Sequence, residues 1–112
     1  MLAPIRRANQ ILFYALKTNA LTKFSGLMFA CEAKPLLFDF GRSATIANGI
    51  HSFFCPKFDA VFLDENKKIT EVFPRIRPYR FITPAKKCRY LLELPPGSAE
   101  KFKLGPGIKL SF

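Results

Sequence analysis

The residues most capable of chemistry crowd into one short stretch. GIHSFFCPKFDAVFLD, residues 49–64, holds the only histidine, one of three cysteines and a carboxylate among apolar neighbours. His51, Cys55 and Asp59 are the types of a base, a nucleophile and an orienter. Their shared parity would turn all three to one face of a strand. Spacing argues against a linear triad. Four extended residues span about 13 Å, whereas nucleophile and base must approach within about 2.6–3.2 Å. A catalytic pair would have to draw on different strands.

Asp59 stands out by itself, set among Phe58, Ala60, Val61 and Phe62. A carboxyl in such surroundings must be hydrogen-bonded, paired or protonated. Its structural role would be to cap backbone N–H groups or to pair with an arginine, Arg42 or Arg89. Its functional role would be to bind a ligand or do catalysis. Glu93 lies between Leu92 and Leu94. Strict alternation sends it to solvent. The functional alternative brings Asp59 and Glu93 together for general acid–base work or metal binding. One histidine and scattered cysteines have no recognised ligand spacing, so no metal or cofactor is expected and His51 reads as a core histidine. Gly105-Pro106-Gly107 is a turn, not a phosphate loop.

A second constellation is basic. Arg75, Arg77, Arg80, Lys86, Lys87 and Arg89 interleave Tyr79, Phe81 and Tyr90. Cations for phosphate with rings for stacking are the chemistry of single-strand binding. The plainer account is a solvated edge whose Arg and Pro discourage sheet-to-sheet aggregation. The net charge of +10 favours anionic partners, whether a small anionic ligand or nucleic acid. No RNP-like block or G-x-x-G loop accompanies it.

These residues need elements to position them. At 112 residues the chain is expected to form one domain, residues 1–112. Thirteen phenylalanines and no tryptophan supply an aromatic core. Ile11–Lys17 and Leu36–Phe40 read as strands, with a helix between them that Thr18 or Asn19 would cap and that carries Leu21, Phe24, Leu27 and Met28. Gly41–Gly49 is a loop and Ile50–Cys55 a buried strand that Pro56 ends. Phe58–Leu63 and Ile69–Phe73 form a hairpin around the charged turn Asp64–Lys68. Pro74–Pro84 is irregular or an edge strand. Cys88–Leu94 is a strand, Pro96–Lys103 holds one or two helical turns, and Ile108–Phe112 closes the chain as a strand. No membrane span is expected. Arg6 and Arg7 before Ile11–Leu16 imitate a signal peptide, but the run is short and Lys17 closes it. An odd cysteine count and no leader suggest a cytoplasmic protein. Strands without regular helical crossovers predict a mainly β fold, a small antiparallel barrel or two-sheet sandwich with one or two short helices.

The blocks TKFSGLMFA, KPLLFDFG, FDAVFLDENKKITEV and CRYLLELPPGSAEKFKLGPGIKL occur in that order. With them the chain, from about residue 11 to its C-terminus, resembles the prokaryotic family catalogued as domain of unknown function 192. The most specific pieces are Gly26-Leu27-Met28-Phe29, Asp59 with Phe62-Leu63-Asp64, and Glu93-Leu94-Pro95 with Gly97. The resemblance implies a compact, mainly β domain and brings no established activity. The chain departs from the family pattern where Ile50-His51-Ser52 replaces a Trp-Met-Lys-like segment and where Lys57-Phe58 replaces Pro-Leu before the aspartate.

The expected function is that of a non-enzymatic binding or accessory module. Asp59, Glu93, His51, Arg75, Arg77, Arg80 and Arg89 are its candidate binding residues, in a groove near Asp59 with a positive rim. Single-stranded nucleic-acid binding and a two-carboxylate hydrolase are the alternatives.

Overall fold

The computed structural model describes residues 2–19, 33–45, 48–52 and 56–112. The described elements run β1 (Leu2–Arg7), β2 (Gln10–Asn19), β3 (Leu36–Ala44), β4 (Ile50–His51), β5 (Phe58–Leu63), β6 (Ile69–Ile76), β7 (Phe81–Ile82), β8 (Cys88–Leu94) and α1 (Ser98–Lys101). Six strands make one sheet in the order β1-β2-β3-β8-β5-β6, and β4 pairs with β7 in a small second sheet. The chain is mainly β, with a strongly curled sheet.

The C-terminal segment holds the curl. Arg6 and Ser111 exchange N–H···O bonds of 2.9 and 2.8 Å at the outer edge of β1. Ile69 N–H donates to Ile108 O at 2.8 Å, and Leu110 N–H to Lys67 O at 2.9 Å, at the start of β6. The sheet's two edges are thus tied to one short segment. The strand expected at Ile108–Phe112 takes this form of isolated bridges, at Lys109 and Ser111.

Apolar residues cover both faces of the sheet's centre. Val61, Leu63, Leu92 and Leu94 pack on one side with Ala99, Leu104 and Leu110 from α1 and the C-terminal segment. Phe58, Ala60, Phe62 and Leu91 pack on the other with Phe38, Ile50 and Ile76. A buried phenylalanine contributes about 1.5–3 kcal/mol, and Phe38, Phe58 and Phe62 are wholly enclosed. With neither face wet, β5 shows no alternation along its length.

Several elements differ from expectation. β1 was not expected, since the sequence reading placed the first strand at Ile11–Lys17 and gave residues 2–7 no element. It is an edge strand, where the missing N–H of Pro4 is tolerated. β2 and β3 pair in parallel, Leu16 beside Leu36 and Thr18 beside Phe38. Residues 20–35 are long enough for the crossover that a parallel pair needs. β3 runs on to Ala44 through an irregularity at Gly41, whose φ is +83°. β4 covers only Ile50–His51 of the expected Ile50–Cys55 strand. β6 continues through Pro74 to Ile76, which its place at the sheet edge permits. The expected helix through Met28, the Gly26–Phe29 block, Cys31 and Cys55 lie outside the described residues, as does the His51 side chain. No helix of the described residues is long and apolar enough to cross a membrane.

Candidate functional site

Asp59 is wholly enclosed, at 0% exposure. Its Oδ1 accepts the Arg75 N–H at 2.7 Å and its Oδ2 the Ala99 N–H at 2.9 Å. The carboxyl therefore ties the end of β6 to the first turn of α1. This is the capping role of the structural alternative, performed on backbone groups and without Arg42 or Arg89. Asp59 itself has no exposed surface, and each of its oxygens accepts from a backbone N–H.

Glu93 is also buried, at 4% exposure, which corrects the solvent-facing position that alternation gave it. Alternation assumed one wet face, and this sheet has none at its centre. Leu36 and Ala60 flank Glu93 on the neighbouring strands. Burial pushes its carboxyl up to about 8, so it is neutral at pH 7. Among the described residues it has no hydrogen-bond partner. In the register, Asp59 pairs with Leu94 and Ala60 with Glu93. Adjacent residues of a strand point to opposite faces, so the two acids lie on opposite sides of the sheet and do not share a site.

The basic run divides. The Arg75 guanidinium reaches Glu100 at 3.7 Å, in an exposed pair that contributes little. Arg89 is committed to Asp39, with bonds of 3.1 and 3.4 Å. Burial raises the Asp39 carboxyl, but the Arg89 hydrogen bond, the Gly41 N–H and the charges of Arg89 and Lys17 outweigh it and hold the group below its ordinary value. Arg77, Arg80, Lys86 and Lys87 remain exposed, and among the described residues they form no ion pair. Tyr79 and Phe81 stand beside them at 63% and 76% exposure.

Ser52, which the sequence reading placed only within a buried strand, shapes this rim. Fully buried, it donates its hydroxyl to Arg77 O at 2.6 Å and accepts the Arg80 N–H at 2.8 Å. Its backbone N–H donates to Arg80 O at 2.9 Å, and its carbonyl accepts the Tyr79 N–H at 3.2 Å. Tyr79 sits at φ +63° and Arg75 at φ +50°. Such a conformation costs a non-glycine residue about 1 kcal/mol or more and persists where the surroundings enforce it. Here Ser52 and Asp59 enforce it. The signal was present in the sequence, since a serine among phenylalanines must find hydrogen bonds if buried. Its partners lie 25 and 28 residues away, which no local pattern reveals. Among the described residues no group of three His, Cys, Asp or Glu side chains could hold a metal ion.

Two solved structures share the fold. A protein of unknown function from Novosphingobium aromaticivorans superimposes with a TM-score of 0.83 over 99% of this chain and 85% of its own, at 16% identity. A protein from Sinorhizobium meliloti, whose description as a transcription regulator is itself provisional, gives 0.80 over 96% and 89%, at 19% identity. In sequence, the UPF0127 protein of Pyrococcus horikoshii is 33% identical over 88 residues, 78% of this chain and 76% of the relative. Its counterpart in Pyrococcus furiosus is 28% identical over 95 residues, 84% and 81%. Residues 6–112 match the family described as DUF192, uncharacterized ACR, and this chain belongs to that family.

Proposed function

We propose that this protein is a non-enzymatic, cytoplasmic binding module that takes an anionic partner on the rim of Arg77, Tyr79, Arg80 and Phe81, extended by Lys86 and Lys87. One observation carries the reading: two large rings, largely exposed, lie beside cations that form no ion pair among the described residues. They sit on a backbone that buried Ser52 and Asp59 hold in a costly shape. Exposed rings and strained backbone both mark binding surfaces more often than inert ones. Asp59 belongs to the scaffold of this rim, not to its contact surface.

The rings favour a second, narrower reading, in which the partner is single-stranded nucleic acid. Tyr79 and Phe81 are separated by one residue, with Arg80 between them and Arg77 before them, a stacking platform with cations for phosphate. The Sinorhizobium protein's provisional description is compatible with that chemistry. The two-carboxylate hydrolase finds no support, since Asp59 and Glu93 face away from each other.

Fluorescence anisotropy with a labelled oligothymidylate and a labelled polyglutamate of matched charge tests both readings. The module should bind at least one of them at low salt. For nucleic acid, the oligothymidylate should bind tighter, and Phe81→Ala should weaken it about 5- to 100-fold, the value of one stacked base. If neither probe binds at low salt, the binding module fails. Equal affinity for the two, unmoved by Phe81→Ala, removes the nucleic-acid reading alone.

A further inference from the structure

A cavity of about 110 Å³ is lined by residues none of which belongs to the Ser52-held rim. Lys17 and Thr18 from β2, Asp39 from β3, Tyr90 from β8, Lys67 from the β5–β6 turn and Phe112 surround a floor of Leu37. We propose that it is a binding site for one small oxyanion, the phosphate or carboxylate group of a metabolite.

The argument rests on which polar groups already have partners. Asp39, the carboxylate of the site, is occupied by Arg89 at 3.1 Å and by the Gly41 N–H at 2.8 Å. Lys67 Nζ donates to the main-chain oxygen of Phe112 at 2.7 Å and lies 4.5 Å from the centre of its ring. That fixes the ammonium in place while using one of its three donors. The Tyr90 ring is packed edge-on against Phe112 at 5.1 Å. Its hydroxyl has no hydrogen-bond partner among the described residues. Lys17 is exposed, and its positive charge acts on Asp39. The open valences are therefore donors: two ammonium groups, a phenol and the Thr18 hydroxyl, which is buried without a hydrogen-bond partner among the described residues. A group that only accepts hydrogen bonds and carries negative charge fits this set.

Size narrows the class. The cavity holds roughly three or four water volumes, room for one phosphate or carboxylate head. The site is independent of the rim, shares no residue with Arg77–Phe81, and does not require the rim's partner to exist.

An NMR titration of the full chain tests the site, with inorganic phosphate in one arm, acetate in another and chloride at matched ionic strength as the baseline. The expected result is saturable shifts centred on Lys17, Lys67, Tyr90 and Phe112. The tighter of the two arms identifies the head group. Tyr90→Phe, which keeps the ring, and Lys17→Gln, at an exposed position, should each weaken binding about fivefold or more. Arg77→Ala with Arg80→Ala should leave it unchanged. Shifts that do not saturate, that chloride reproduces, or that persist at equal affinity in Tyr90→Phe and Lys17→Gln overturn the proposal.

Discussion

Asp59 and Glu93 sit diagonally across the β5–β8 pair and are opposite solutions to the burial of an acid. Asp59 meets two backbone N–H groups. Asp59→Ala would strand both donors and should cost about 3–5 kcal/mol, read from chemical denaturation. A loss below about 1 kcal/mol would show that the anchor is dispensable. Glu93 meets apolar side chains and stays neutral up to about pH 8. In the unfolded chain it ionises near its ordinary value of about 4.3. Between those values the folded state holds the extra proton, so stability is full at low pH and falls as pH rises to about 8, at up to about 1.4 kcal/mol per unit. Glu93→Gln should flatten that fall, with urea midpoints at pH 5 and pH 8 drawing together. A variant that tracks the wild type across this window would mean that another group sets the slope.

Among the elements, those bounded by turn chemistry were legible. Phe58–Leu63 and Cys88–Leu94 appear with the limits the sequence suggests, and the turn between β5 and β6 closes as its acids imply. Asp64 Oδ1 accepts the N–H groups of Asn66 and Lys68 at 2.9 and 3.0 Å. What was not legible depends on distant partners. β1 is a strand because β2 and Ser111 pair with it, partners that residues 2–7 alone do not disclose. Glu93 is buried because the sheet is covered on both faces, which residues 92–94 cannot disclose. The rim's shape comes from Ser52, a contact far along the chain, so Arg75 and Arg89 could not be told from Arg77 and Arg80 beforehand. The C-terminal segment matters more than its length suggests, since it ties β1 to β6. Leu110, with 1% exposure, is its main apolar anchor. Leu110→Ala should cost about 2–5 kcal/mol. A thermal midpoint within about 2 °C of wild type would contradict a closing role for that segment.

On the scale of the whole molecule, an excess of ten positive charges sits on a scaffold whose interior is fixed by aromatic and aliphatic packing. Net charge alone would make the protein a weak, featureless binder of polyanions. The account differs in locating the interaction: two arginines on a turn held by Ser52, with rings on either side of Arg80. The most direct measurement is the salt dependence of oligothymidylate affinity for the wild type and for the Arg77→Ala, Arg80→Ala double variant. For a single strand each lost phosphate contact lowers the slope of log K against log salt by about 0.7. The account predicts a slope shallower by about 1.4 in the double variant, with weaker binding at low salt. A slope and affinity equal to those of the wild type would contradict it, because the attraction would then belong to the overall charge and not to this rim.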